Sequence, residues 1–305
     1  MDQVLVLYRT EAGRAVALDD RCAHRGTSLA AGWVEEGCVR CPYHGWRYAS
    51  DGACIEIPAN QPGVPIPRQA RVTSYPVEER YGLVWVFLGD DRVYERVPIP
   101  PLPQYDAPGW RTVRGEFTWG GHISRVIANT VDMSHAPFVH ATAFGRRSEP
   151  RIPTYRIEAE QWSGSGTITF RTKPAYFLKL VLGNAPPNGS ITATFFLPNA
   201  TQVYHRFGNV EFVLFMVHVP LDDRTTRTHW LHVRNFVTHP WADGFMRRDV
   251  VRTLTQDDAV VRLQPPGAAP EEASEEAHAT SDSLEVAYRR MCRQASRHDG
   301  EGLLV

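Results

Sequence analysis

Long apolar runs are missing from this 305-residue chain: nowhere do about 18 such residues follow one another, which leaves nothing to cross a membrane as a helix. Excess charge is missing too. A formal charge of -1 gives no general pull toward nucleic acid or anionic lipid. The opening MDQVLVLYRT lacks the basic, apolar and small-residue regions of a secretory signal, so a cytoplasmic location is expected. No G-x-G-x-x-G follows a strand pattern, which predicts neither flavin nor nicotinamide on this chain. Internal repeats are absent. Cysteine is scarce, with five residues, too few for a disulfide scaffold in a chain of this length. Where those cysteines lie beside histidines, metal or redox chemistry is expected instead.

What is present is the composition of a globular protein, 43% hydrophobic and 22% charged, long enough for two domains. Residues 1–96 carry short β-branched and aromatic strand patterns punctuated by Gly and Asp. The proline-rich segment 97–112 predicts a linker. Within 113–305, residues 122–140 read as a helix broken near Pro137, and 154–238 as a series of antiparallel strands. A long helix is expected from Trp241 to Leu263, stopped by Pro265 and Pro266. An acidic loop and a closing helix, LEVAYRRMCRQA, follow. The fold class is therefore α+β: a small all-β domain, then a larger domain built on an antiparallel sheet.

Cys22-x-His24 and Cys41-x-x-His44 form two Cys/His pairs, and thiolate with imidazole suits zinc or an iron–sulfur centre. Because Cys38-x-x-Cys41 is also a CxxC, four of these five residues also fit a closed tetrahedral zinc site. The C-x-H, C-x-x-H order instead matches the arrangement in which two cysteines bind one iron and two histidines the other. Gly26 and Gly45 then allow tight turns that bring backbone N–H groups near cluster sulfur. In that two-iron arrangement Cys38 is a spare and, like Cys54 and Cys292, is left as a packing cysteine.

A second group lies in NTVDMSHAPFVH, residues 129–140. Asn129, Asp132 and His135 are spaced i, i+3, i+6, along one face of a helix. In an unbroken helix His135 and His140 would point about 140° apart. Pro137 predicts a break near Ala136 that lets them converge. Two histidines need a carboxylate to make a facial triad with open positions on iron. On the late helix, Met246, Val250, Leu254 and Val261 share a face; Asp257 falls about 25° from its centre and Asp258 about 75°. Asp257 is the expected ligand, with Asp258 in reserve.

The quoted motifs, CAHRG…CPYHGWRY and D-x-x-H-x-x-x-x-H, resemble those of the Rieske non-heme iron oxygenases. The ending SDSLEVAYRR is similar to the branch of homotrimeric α subunits that includes aromatic O-demethylases. The resemblance implies a [2Fe-2S] cluster held by Cys22, Cys41, His24 and His44. It also implies a mononuclear Fe(II) on His135, His140 and Asp257, in a helix-grip, START-like catalytic domain. Head-to-tail trimers are implied, with Asp132 bridging the histidines of two centres in neighbouring subunits and Asn129 beside it. Expected partners are O2, an apolar aromatic or alicyclic substrate, and a separate ferredoxin or flavin reductase using NAD(P)H. The family also implies some thirty further residues before the first strand found here.

The substrate is expected to be mostly apolar and cyclic, with residues 174–187 and 191–199 as candidate lining, and the outcome hydroxylation or O/N-dealkylation. Two other readings make distinct predictions. A Rieske-type electron-transfer protein with an inert second domain needs no second metal, and a zinc-stabilised ligand-binding protein needs Cys38.

Overall fold

The computed structural model describes residues 3–89, 96–141, 147–171, 188–269 and 276–298. The chain divides into two compact units, Met1–Ile99 and Pro100–Val305.

The first unit is all strand and turn. Strands β1 (Leu5–Arg9), β2 (Ala15–Asp19) and β7 (Ser74–Tyr75) form one sheet. β3 (Trp33–Glu35), β4 (Cys38–Arg40), β5 (Arg47–Tyr48) and β6 (Cys54–Glu56) form a second, and β8 (Val77–Arg80) pairs with β9 (Leu83–Val86). β1 shows why these segments are strands: Val6 and Tyr8 are buried while Leu7 and Arg9 face out, a period of two. Leu18, Leu29, Val39 and Tyr48 pack with Cys22 and Cys41 in one core, so the two cysteines enter the hydrophobic interior with the strands.

The second unit is built on one antiparallel sheet. Its strands are β10 (Arg111–Trp119), β11 (Ile157–Ala159), β12 (Ser163–Arg171), β13 (Asn188–Phe196), β14 (Ala200–Phe207), β15 (Val210–Asp222) and β16 (Thr225–Arg234), in the order β10-β16-β15-β14-β13-β12-β11. The register aligns Val113, His232, Leu214, Val203, Ala193 and Gly166 in one row across six strands. The next row on the same face holds Arg111, Arg234, Phe212, His205, Ile191 and Ile168. The helices described in this unit are α1 (Ile123–Val131), α2 (Ala136–Val139), α3 (Asp243–Val261) and α4 (Ser283–His298). Of these, α1, α3 and α4 pack on this inner face.

Met246, Val250, Leu254 and Val261 of α3 are buried against Val113, Trp119, Met216 and Trp230, each worth roughly 2 kcal/mol of transfer free energy. Ile123, Ile127 and Val131 of α1 join Leu284 and Tyr288 of α4 against Ala193 and Phe195. A large antiparallel sheet with the long helices described here on one face is the helix-grip arrangement.

The predicted helix over 122–140 is corrected. α1 stops at Val131, and Asp132 is extended with ψ of 120°. A separate short turn, α2, starts after His135 with Pro137 in its first turn. Proline lacks only an N–H that the first turn leaves unbonded anyway, so Pro137 opens a helix here rather than closing one. Asn129 and His135 therefore do not share a helical stripe.

Among the described residues, no helix is long and apolar enough to cross a membrane. The candidate substrate-lining stretch 174–187 lies outside the described residues. The stretch 191–199 forms most of β13, with Ile191, Ala193 and Phe195 on the inner face.

Candidate metal centres

Two loops of the first unit repeat one geometry. Cys22 N donates to Thr27 O at 2.9 Å, and Gly26 N donates to Cys22 O at 2.8 Å. Cys41 N donates to Trp46 O at 2.9 Å, and Gly45 N to Cys41 O at 3.1 Å. Both glycines adopt the left-handed conformation, φ 70° at Gly26 and 71° at Gly45, which a side chain would strain. Arg40 supports the second loop by donating to Gly45 O at 2.7 Å while it pairs with Glu35 and Glu56.

The loops put unlike ligands at unlike depths. Cys22 and Cys41 are buried free thiols, and His24 and His44 are exposed, with ring centroids 4.6 Å apart. Trp46 stacks flat on His24 at 4.6 Å. Tyr48, fully buried on β5, accepts from Ala23 N at 3.1 Å and reaches Cys22 Sγ at 3.0 Å. Burial, then Cys22, pushes its hydroxyl well above the usual phenol range, so it stays protonated and donates to a thiolate.

Among the described residues of this unit, no three ligating atoms of His, Cys, Asp or Glu close on one point as a single zinc requires. The set instead fits a two-iron cluster, sulfur end inward and imidazole end outward. Cys38 stands half-buried on β4 beside Tyr8, outside these loops.

In the second unit three side chains converge. His135 Nε2 and His140 Nε2 lie 3.3 Å apart, and Asp257 Oδ1 lies 3.3 Å from the first and 3.1 Å from the second. These edges match a triangle of donors around one cation at roughly 2.1 Å. Despite the short distances, Asp257 Oδ1 is enclosed and makes no well-formed hydrogen bond. Three ligating atoms thus converge on a common point, an arrangement that a positive charge there stabilises.

The neighbours fix which nitrogen points inward. His140 Nδ1 lies 2.9 Å from Gln256 Oε1, to which it donates, which turns its Nε2 toward His135 and Asp257. His135 Nδ1 faces Asp132 Oδ2 at 3.5 Å. Asp132 is held in turn by Ser134, whose N and Oγ donate to Oδ1 at 2.6 and 2.7 Å. Burial works against charge on His135, but Asp132 and Asp257 outweigh it and raise its pKa to about 9. The same pairing holds both carboxyls low against their own burial. The site draws positive charge to itself.

Asp258 is directed elsewhere. It accepts from Gly120 N at 2.8 Å and from Arg262 Nε at 2.6 Å, tying the end of α3 to the start of the α1 loop. Asn129, on α1, has its Oδ1 buried without a partner among the described residues. Gln256 and Tyr48 were not expected from the sequence. Gln256 adjoins Asp257, and Tyr48 lies in the second loop's motif, but neither residue type marks a ligand's support by itself.

Comparison with known proteins meets this geometry. The Rieske [2Fe-2S] domain model matches residues 1–76, and the vanillate O-demethylase oxygenase C-terminal domain model matches 119–298. The chain is 31% identical over 292 residues to the methylxanthine N1-demethylase NdmA of Pseudomonas putida, covering 94% of this chain and 79% of that protein. It belongs to the Rieske non-heme iron oxygenases.

As an oxygenase α subunit it is also 30% identical to the vanillate O-demethylase oxygenase subunit of Pseudomonas sp. strain HR199, over 60% of this chain and 51% of that one. The solved structure of NdmA with caffeine superposes at a TM-score of 0.83 and 27% identity, covering 99% of this chain and 85% of that chain. Membership sets aside the zinc-stabilised binding protein. It also sets aside the electron carrier with an inert second domain, since the catalytic-domain match spans the second unit's triangle.

Proposed function

We propose that this oxygenase hydroxylates or O/N-dealkylates a mostly apolar cyclic substrate, with electrons delivered by a separate ferredoxin or flavin reductase that draws on NAD(P)H. Residues 1–96 serve as the Rieske domain, 97–112 as linker and 113–305 as the catalytic domain. Cys22, Cys41, His24 and His44 would hold the cluster, and His135, His140 and Asp257 the iron. When bound, the cluster supplies single electrons and Fe(II) binds and reduces O2.

The protein's own share is orientation and charge. Gln256 and Asp132 hold the two imidazoles with Nε2 inward, and Asp257 offers the anionic third donor. Asp132 is suited to bridge toward a Rieske histidine of a neighbouring copy in a homotrimer, because its carboxylate accepts from an imidazole N–H on either side; Asn129 stands one helical turn before it. For a methylated substrate the reaction balances as R–X–CH3 + O2 + 2 electrons + 2 protons giving R–XH, formaldehyde and water. Two relatives named above are demethylases, which supports the dealkylating branch.

The observation that carries this reading is the triangle of converging ligand atoms at His135, His140 and Asp257 in a chain that also holds the two glycine-turn loops. The test is iron and sulfide analysis with EPR on anaerobically purified protein, before and after dithionite. A Rieske signal with about one iron beyond the cluster's two is expected. A colourless protein holding one zinc would overturn it.

A further inference from the structure

Three histidines lie on the inner face of the catalytic sheet, and they are not alike. His218 is fully buried and fully served: Thr228 Oγ1 lies 2.8 Å from its Nδ1 and Thr201 Oγ1 2.9 Å from its Nε2. This is how a structural buried imidazole is normally satisfied. His205 and His232 have no such partners. Neither makes a hydrogen bond among the described residues, although His232 is only 7% exposed and its Nδ1 is enclosed. A buried polar atom left unpaired costs about 1–3 kcal/mol, and no described residue offsets that cost here.

What surrounds the pair is aromatic. His205 stacks on Phe212 at 4.2 Å and 11°, and Phe212 leans on His232 at 5.3 Å. Phe207 lies 6.3 Å from His205 and 5.9 Å from Phe170, while Phe236 lies 6.3 Å from Phe212. The result is a wall of six rings in which the two imidazoles are the polar members. Burial holds both uncharged, His205 at about 3 and His232, beside Arg234, at about 4. Arg234 is itself enclosed and spends its charge on Asp243 at 2.9 Å.

The wall is on the face that both ligand-bearing segments cover. Register neighbours Val203 and Leu214 pack in one cluster with Leu254, one helical turn before Asp257. Ile168 and Ile191, in the row of His205, pack in the cluster of Met133, two residues before His135.

We infer that His205 and His232 read the polar edge of the substrate, and that this substrate is a flat, uncharged ring bearing a carbonyl oxygen or ring nitrogen. The assignment rests on the oxygenase reading and adds to it a chemical class. Neutral imidazoles donate or accept one hydrogen bond each at little desolvation cost. They do not offset the burial of a carboxylate or sulfonate, and among the described residues the guanidiniums in the row of His205, Arg111 and Arg234, are both turned to Asp243. The phenylalanines supply ring-on-ring contact for the rest of the molecule.

Anaerobic calorimetry on the metal-loaded oxygenase tests this with three probes of one shape: 1-methylquinolin-2-one, 1-methylnaphthalene and 1-naphthoate. Wild-type protein is expected to bind the quinolone most tightly. His205→Phe and His232→Phe, which keep a ring in place, should each weaken quinolone binding about five- to tenfold. Both should hold 1-methylnaphthalene within about twofold, a result that also certifies the fold.

Equal loss for both neutral probes would make the pair structural and overturn the assignment. So would no change for either, no binding of any probe, or tightest binding of the naphthoate. The oxygenase reading fails by a different sign: no formaldehyde from the bound quinolone under O2 with a reduced ferredoxin, while calorimetry still reports the binding.

Discussion

Two metal centres sit on one chain, and they are assembled by opposite means. In the first unit all four candidate ligands come from residues 22–44, on two loops that repeat the same Cys-to-Gly hydrogen bond and the same left-handed glycine. In the second, His135 and His140 flank a short helical turn while Asp257 arrives from a helix far along the chain. The first places buried sulfur beneath exposed imidazoles, as an electron port must. The second closes on carboxylates and buried nitrogen, as a site that must exclude water does. Local motif suffices for the first; the second depends on the sheet that carries it.

The sharpest break in this comparison is Asp257→Ala. It should abolish turnover, removing the iron beyond the cluster while the Rieske EPR signal stays intact. Asp258→Asn should keep that iron and lose only about 1–2 kcal/mol of stability through Gly120 and Arg262, measured by urea denaturation. Retained iron in the first and lost iron in the second would reverse the two roles.

Asp132→Asn should keep both metals, because it is no ligand, yet slow coupled turnover about a hundredfold, read by single-turnover kinetics. Normal turnover would remove the bridging role.

Dependence of the second centre on its scaffold is tested further away. Arg234 is fully enclosed and shares Asp243, at the start of α3, with Arg111, so Arg234→Ala should cost about 1–3 kcal/mol by removing its bonds to Asp243 and to Val237 O while Arg111 keeps the carboxylate paired. The cost should depend on pH in a definite direction. Arg111, and then Arg234, hold Asp243 at about 2 against its ordinary 3.8. A depressed carboxyl contributes fully above its unfolded value and loses the contribution as pH falls through the folded one. Wild type and variant should therefore converge between pH 4 and pH 2, and a gap that widens there would contradict the pairing.

A smaller effect is expected from Gln256→Leu, which frees His140 Nδ1 and should weaken iron binding about tenfold, by competition with a chelator. The smallest belongs to the first centre. Tyr48→Phe removes the hydroxyl donor to Cys22 and should lower the cluster's midpoint potential by on the order of 30–60 mV. An unchanged potential would mean that Tyr48 only packs.

These differences also set what the sequence could reveal. The Rieske domain was legible because the spacing C-x-H and C-x-x-H determines its two loops almost unaided. The strands of the sheet were legible from their period of two. The histidine turn was only half legible. Pro137 signals a break, but whether it ends one helix or starts another depends on how α1 packs against β13 and β14, which no local pattern encodes. Asp257 stood out from Asp258 by its angle on an apolar face, whereas Asp258's bond to Gly120 needs the tertiary fold. His205 and His232 are invisible as a pair in the sequence, since only the β14-β15-β16 register brings them beside Phe212. The candidate lining 174–187 lies outside the described residues.

One consequence follows from how α3 is fastened. Arg111 and Arg234 grip its first residue, Asp243, and Gly120 grips Asp258 near its last turn. A beam pinned at both ends keeps its middle in place whether or not anything rests on it, so the height and heading of Asp257 are set before iron arrives. Loading then becomes a question of supply rather than of folding. Polypeptide made in iron-starved cells should then accumulate folded, and ferrous iron added after purification should fill the site without an unfolding step.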